Sequence, residues 1–175
     1  REGELWYGHA DMATGKRAAS VYGALDAFLP AVLALGGDTE RATRLQLSGA
    51  AMWRLHGIEP EELDYAKMDV VSGGYQLRPE IVESAYYLHH LTGDPRWRAM
   101  GRGFFEDFVR HCRTDAAYAA LKDVRTMEQR DSMESFVFAE TFKYYWLLFA
   151  PPSALDFDGV VFNTEAHPLR RTWSK

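Results

Sequence analysis

Residues Gln76–Ser84 read QLRPEIVES, and the rest of the chain is best read outward from them. Pro79 suits the first position of a helix, where its missing N–H leaves no hydrogen bond unmade and its φ is already helical. Glu80 then falls in the first turn, where unpaired backbone N–H groups and the helix dipole favour an ionised carboxylate. Glu83 follows three positions on and shares its face. Arg78, just outside the helix, carries a planar fork able to hold one of the two carboxylates. A carboxylate kept charged and held still is what a general base requires. The plainer reading is that acidic residues simply mark helix starts, and this stretch alone favours it.

The spacing on either side predicts helices. The one opened by Pro79 runs to about Leu91, where Thr92-Gly93-Asp94-Pro95 supplies a left-handed glycine cap and a proline start for Arg96–Cys112. Upstream, Ala18–Leu35 repeats apolar residues at helical spacing, with a kink expected at Pro30. Asp38-Thr39 caps a second helix over Glu40–His56, ended by Gly57. Ile58–Gln76 reads as a polar loop, Arg1–Lys16 as a loop or short strands, and Thr114–Gln129 as a short helix and a loop. Asp131–Glu134 has the capping-box pattern before a helix over Ser135–Phe149, which Pro151-Pro152 stops. A short β-branched and aromatic run, VVF, begins the tail at Val160. Antiparallel helix pairs of this kind form bundles or closed rings, and periodicity does not choose between them. No repeat of fixed period points to a regular solenoid.

The chain has 175 residues, about one domain, with a net charge of −5 and no long basic run, which argues against nucleic acid as a partner. The single cysteine, Cys112, excludes an intrachain disulfide and offers no metal-ligand spacing. No apolar run reaches the roughly 18 residues of a membrane span. Glycine-rich phosphate loops, GxSxG and HExxH are all absent.

Two further stretches could carry chemistry. Apolar residues wrap most of the helix Ser135–Phe149, so burial on most sides is expected. Glu140 in its middle then needs a partner, a proton or a ligand; the alternative is a pair with Lys143 reaching solvent. Asn163-Thr164-Glu165 clusters oxygen donors in irregular backbone, which suits a hard cation such as calcium. His89-His90 project in different directions and make a poor metal pair.

Three motifs in order, QLRPEIVESAYYLHHLTGD, DSMESFVFAETFKYYWLLF and VVFNTEAHPL, together resemble the C-terminal part of a family 47 glycoside hydrolase catalytic domain, the class I α-1,2-mannosidases and their quality-control relatives. SVYGALDAFLPAVLALGGD is similar to an earlier segment of that family, so the resemblance spans about Val21 to Leu169. It implies an all-α fold, a ring of helical hairpins forming an (α/α)7 barrel with a small C-terminal β-hairpin, of which residues 1–175 cover only part. It implies a calcium-dependent, inverting hydrolase that removes terminal α-1,2-linked mannose from mannose-rich oligosaccharides or N-glycans. Glu80 matches the family's base. Arg78 and Glu83 match neighbours that contact the sugar or orient the base, and Phe136 and Glu140 match an aromatic platform and a carboxylate at the pocket bottom. Thr164 matches the calcium ligand, through both carbonyl and hydroxyl, and Glu165 a carboxylate acting through waters.

The family's acid-side carboxylates have no counterpart motif in this chain. An upstream half of the same barrel is therefore the expected partner, beside the mannose-containing oligosaccharide. Ala24 stands where the family often carries histidine or serine, and Ala27 where it carries a disulfide cysteine. These departures point to a bacterial or quality-control-like branch. The family works in the secretory pathway, which can be membrane-associated, or otherwise outside the cytoplasm. A lectin-like relative that holds mannose without cutting it is the alternative function. An unrelated helical-hairpin domain is the third.

Overall fold

The computed structural model describes residues 5–173. The first four residues of the Arg1–Lys16 segment lie outside them; from Leu5 onward that segment is irregular, with one bridge between Ala10 and Arg17.

Among the described residues, five α-helices carry the fold: α1 (Leu29–Leu35), α2 (Thr39–His56), α3 (Glu80–Thr92), α4 (Pro95–Cys112) and α5 (Phe142–Phe149). Helix α1 packs on α2 and α3 on α4, as expected of consecutive hairpins, while α3 also touches α1, α2 and α5. The helix entered through QLRPE is thus the hub. Its core face, Ile81, Val82, Ala85, Tyr86 and Leu88, is fully buried, because those positions fall on one side at 3.6 residues per turn. Gly57 and Gly93 close α2 and α3 at φ of 83° and 68°, a conformation open to glycine at little cost. The Asp38 carboxylate accepts the Arg41 N–H at the start of α2 and Asp94 accepts the Arg96 N–H at the start of α4.

Several expectations are corrected. The run Ala18–Leu35 is not one helix: Val21–Gly23 forms strand β1, Leu25–Phe28 a 3₁₀ turn, and only Leu29–Leu35 is α-helical. Pro30 lies in the first turn of α1, where it starts the helix rather than kinking it. Pro79 is the N-cap of α3, one position earlier than expected.

The supposed loop Ile58–Gln76 holds strands β2 (Glu62–Asp64) and β3 (Asp69–Ser72), which with β1 form an antiparallel sheet in the order β1-β2-β3. Val21 faces Asp64 across it, and Leu63 faces Val70. The supposed helix and loop of Thr114–Gln129 is a second hairpin, β4 (Ala120–Asp123) with β5 (Glu128–Arg130). A third, β6 (Val160–Phe162) with β7 (Pro168–Arg170), is the expected C-terminal hairpin.

The capping box before α5 does not form. Ser132 donates instead to the Glu134 side chain, and the helix begins with a π-helical turn, Val137–Thr141, closed by the Phe142 N–H donating to the Val137 carbonyl. Nor is this helix buried all round. Phe138 is 61% exposed and Trp146 58%, and Phe105, Phe142, Tyr145, Trp146 and Phe149 line an open apolar hollow. Leu25, Phe28, Val32 and Leu35, on α1 and the turn before it, are also exposed.

Candidate active site

The entry to α3 is sharply bent. Leu77, fully buried, has φ of 62°, a conformation costing a non-glycine residue about 1 kcal/mol or more. The buried Thr141 hydroxyl, in the π-helical turn, donates to the Leu77 carbonyl at 2.8 Å. One bond therefore joins the two elements that carry Glu80 and Glu140.

Glu80, Glu83 and Glu140 line one cavity of about 490 Å³, together with Asn163, Thr164, Tyr87 and Phe162. Its remaining wall is Leu25, Phe28, Ala31, Val32 and Leu35, from α1 and the turn before it. Burial is the main influence on Glu80 and raises its pKa to about 7, with Glu83 and Glu140 pushing the same way and Arg78 opposing. This corrects the expectation that the helix start holds Glu80 firmly ionised: desolvation outweighs the dipole. Glu83 is likewise raised to about 7 by burial, although Tyr144 donates its hydroxyl to Glu83 Oε1 at 2.8 Å and opposes the shift. Glu140 is half-buried, and burial and the neighbouring Glu165 raise it while Lys143 and His167 lower it.

Arg78 does not hold Glu80 or Glu83. Its guanidinium grips Glu61, with Nη2 2.9 Å from Oε2 and Nε 3.3 Å from both carboxylate oxygens, and sits 5.7 Å from the centre of the Phe136 ring. Arg78 and Phe136 thus form a group of their own beside the carboxylate cavity, outside its lining. Glu61 went unread because Glu-Pro-Glu-Glu after a helix cap looks like a solvated loop. Tyr144 was hidden within an apolar helical run.

The Asn163–His167 turn is closed by two backbone bonds, Asn163 N–H to the His167 carbonyl and Ala166 N–H to the Asn163 carbonyl, and braced by one side chain. Asn163 Oδ1 accepts the N–H groups of Glu165 and His167, at 3.1 and 2.8 Å, and Ala166 takes φ of 55° to close the turn. Lys143 donates to the Ala166 carbonyl at 2.7 Å. Lys143 is therefore a tether between the turn and the base of α5, not simply the counter-ion of Glu140. Thr164 reaches the cavity, whereas Glu165 stays exposed on the turn.

Among the described residues no three His, Cys, Asp or Glu side chains converge closely enough to cage a metal directly. The donor set still fits a hard cation. Three carboxylates share a cavity, and one buried oxygen, Glu80 Oε2, has no hydrogen-bond partner. Thr164 offers that cavity neutral oxygen.

The described fold superposes on an α-1,2-mannosidase from Trichoderma reesei with a TM-score of 0.81 and 29% identity, covering 89% of this chain and 40% of that one. The paired helices are accordingly an arc of an (α/α)7 barrel. The profile of glycosyl hydrolase family 47 matches residues 2–171, and the chain belongs to that family. Alpha-mannosidase I MNS4 of Arabidopsis thaliana is 36% identical over 94% of the chain, and ER degradation-enhancing alpha-mannosidase-like protein 2 of Homo sapiens 35% identical over 94%. The chain spans only 28% and 32% of those two relatives.

Proposed function

We propose that this chain is the base-and-metal side of a calcium-dependent, inverting α-mannosidase that removes terminal α-1,2-linked mannose from mannose-rich oligosaccharides or N-glycans. The observation that carries this reading is the convergence of Glu80, Glu83 and Glu140 with Thr164 on one cavity. Glu80 is the base: its carboxylate takes a proton from a water, whose oxygen bonds to the anomeric carbon as the bond to the leaving oxygen breaks. The leaving oxygen takes its proton from an acid on the opposite wall, roughly 6.5–9.5 Å from the base so that the water fits between. That acid belongs to the part of the barrel outside this chain, the upstream half, which is thus a required partner.

Glu83, fixed by Tyr144, orients Glu80 or a sugar hydroxyl. Glu140 closes the bottom of the pocket. Phe136, beside Arg78, offers an apolar face to the sugar ring, and Glu165 acts through water. Thr164 would hold calcium, which when bound ties sugar hydroxyls to the pocket and helps polarise the attacking water. Relatives named for endoplasmic-reticulum degradation support an extracytoplasmic, quality-control-like setting.

The test is to incubate the protein with α-1,2-mannobiose, with calcium and with chelator, and to follow the anomeric protons by NMR. Early release of β-mannose that stops on chelation is the expected result for the assembled barrel, with Glu80→Gln lowering kcat at least a hundredfold. Binding of the disaccharide without turnover, by an assembly containing both halves, would overturn hydrolysis in favour of a lectin-like role.

A further inference from the structure

The proposed reaction leaves one well-held carboxylate, Glu61, without a part. It lies between α2 and β2, and both its main chain and its side chain reach across the fold. Its N–H donates to the Gly74 carbonyl at 2.8 Å, and its own carbonyl accepts the Ala24 N–H at 2.9 Å. Its Oε1 accepts the Gln76 backbone N–H at 3.0 Å. Arg78 Nη2 donates to Oε2 at 2.9 Å, and Arg78 Nε lies 3.3 Å from both oxygens.

These bonds leave the guanidinium little freedom. A carboxylate that engages Nε and Nη2 holds one edge of the planar fork. Phe136 meets its face, the ring centre lying 5.7 Å from Arg78 Cζ. Nη1 is left on the edge away from Glu61, and it makes no hydrogen bond or ion pair with any described residue. The Arg78 and Glu61 side chains are only 20% and 18% exposed, so solvent and salt screen this pair less than one on the open surface. An arginine without such a hold spreads over many rotamers and must be frozen each time a ligand engages it.

The place of the pair gives it a use. Arg78 stands two residues before Glu80, on the bent entry to α3, and Phe136 comes just before the π-helical turn that carries Glu140. The Thr141 hydroxyl already joins those two elements through the Leu77 carbonyl; the contact of Arg78 with Phe136 joins them a second time. The bond from Ala24 ties Glu61 to the turn whose Leu25 and Phe28 line the carboxylate cavity. Glu61 thus braces the surroundings of the cavity without lining it.

We propose that Glu61 is a positioning residue for sugar binding: it holds the Arg78 guanidinium against Phe136 so that Nη1 is free to donate to a hydroxyl of the mannose ring that Phe136 receives. The ligand chemistry is that of a neutral polyol with one apolar face, its C–H groups on the aromatic ring and a hydroxyl oxygen on the cation. This use of Arg78 rests on the mannosidase reading; the hold of Glu61 on Arg78 does not.

Glu61→Gln is the selective variant, because its amide oxygen still accepts the Gln76 N–H while its NH2 group cannot accept from Arg78. In the whole chain, the Arg78 Nε–H signal of a ¹⁵N-arginine spectrum is assigned by its loss in Arg78→Met. It is expected to exchange with water about tenfold faster in Glu61→Gln than in the wild type. Equal exchange rates overturn the proposal. Binding of α-1,2-mannobiose is then measured by calorimetry, with calcium, on an assembly containing both halves of the barrel, in a Glu80→Gln background that prevents turnover. Glu61→Gln is expected to raise Kd about tenfold, and to change it by less than about twofold once Arg78 is replaced by methionine. A Kd unmoved by Glu61→Gln overturns the proposal. So does an equal loss with and without Arg78, which is what a merely structural role gives. If Arg78→Met does not fold, Arg78→Lys, which lacks the fork, takes its place. Failure of the assembly with Glu61 intact to bind mannobiose overturns the mannosidase reading and the sugar role with it. The exchange rates tell the two failures apart, because they report the hold on Arg78 without sugar.

Discussion

Glu80 and Glu83 show how burial rewrites what a local motif implies. Both titrate near 7 in the folded chain against an ordinary value of 4.5. Between about 4.5 and about 7 the folded state therefore holds more protons than the unfolded one, and stability falls as pH rises through that window, levelling above it. Each group contributes at most about 3 kcal/mol to that fall. Urea unfolding in chelator at pH 5, 6, 7 and 8 should show the decline, and Glu83→Gln should remove about half of it; a flat or rising profile would contradict the burial described here. The Thr141 hydroxyl makes a second residue-level case. Thr141→Val leaves the buried Leu77 carbonyl unpaired and should lower stability by about 2 kcal/mol, read as a reduced urea midpoint at unchanged m.

At the scale of elements, a bond from Lys143 to the Ala166 carbonyl ties the C-terminal turn to α5. Lys143→Met keeps the length of the side chain and removes the tether. Calcium titration by calorimetry should then show affinity about tenfold weaker, as when the supporting partners of a metal ligand are lost, while circular dichroism shows the helices intact.

Helices α2, α3 and α4 were legible, because glycine caps and a proline mark their ends at Gly57, Gly93 and Pro95. The first two β-hairpins were not. Their turns place Met68 and Met127 at φ of 58°, where a glycine or asparagine would have been the readable signal. Each turn is instead wound by an aspartate, Asp64 accepting the Ala66 N–H and Asp123 the Arg125 N–H. Strand β1 was hidden for a different reason: three residues inside an apolar run cannot contradict its helical period.

Across the whole molecule, Glu80, Glu83, Glu140 and Thr164 line one cavity, whereas Arg78, Phe136 and Glu165, which the motifs also marked, lie outside its lining. Glu61 was illegible, because whether a glutamate in a polar run is buried depends on segments far away in sequence. The same scale governs the apolar surfaces. Phe138 and Trp146 on α5 and its π-helical entry, and Leu25, Phe28, Val32 and Leu35 on α1 and the turn before it, are exposed, beyond the scattered single residues normal for a surface. The 175-residue chain alone should self-associate at micromolar concentration in sedimentation velocity, and Phe28→Lys with Trp146→Lys should shift it toward monomer. A monodisperse wild-type chain would mean that these faces need no cover.

The π-helical turn Val137–Thr141 has a meaning for the chain's history. Such a turn is an α-helix with one residue too many, accommodated locally instead of shifting everything downstream. Taking one residue back out, Phe138 for instance, would leave Phe142–Phe149 seated and turn Phe136 by about 100° around the axis, away from Arg78. The spacing between the Phe136 ring and the Glu140 carboxylate thus depends on one extra residue, and a one-residue deletion there is the shortest mutational path by which a descendant could lose the contact of Phe136 with Arg78 while keeping its fold.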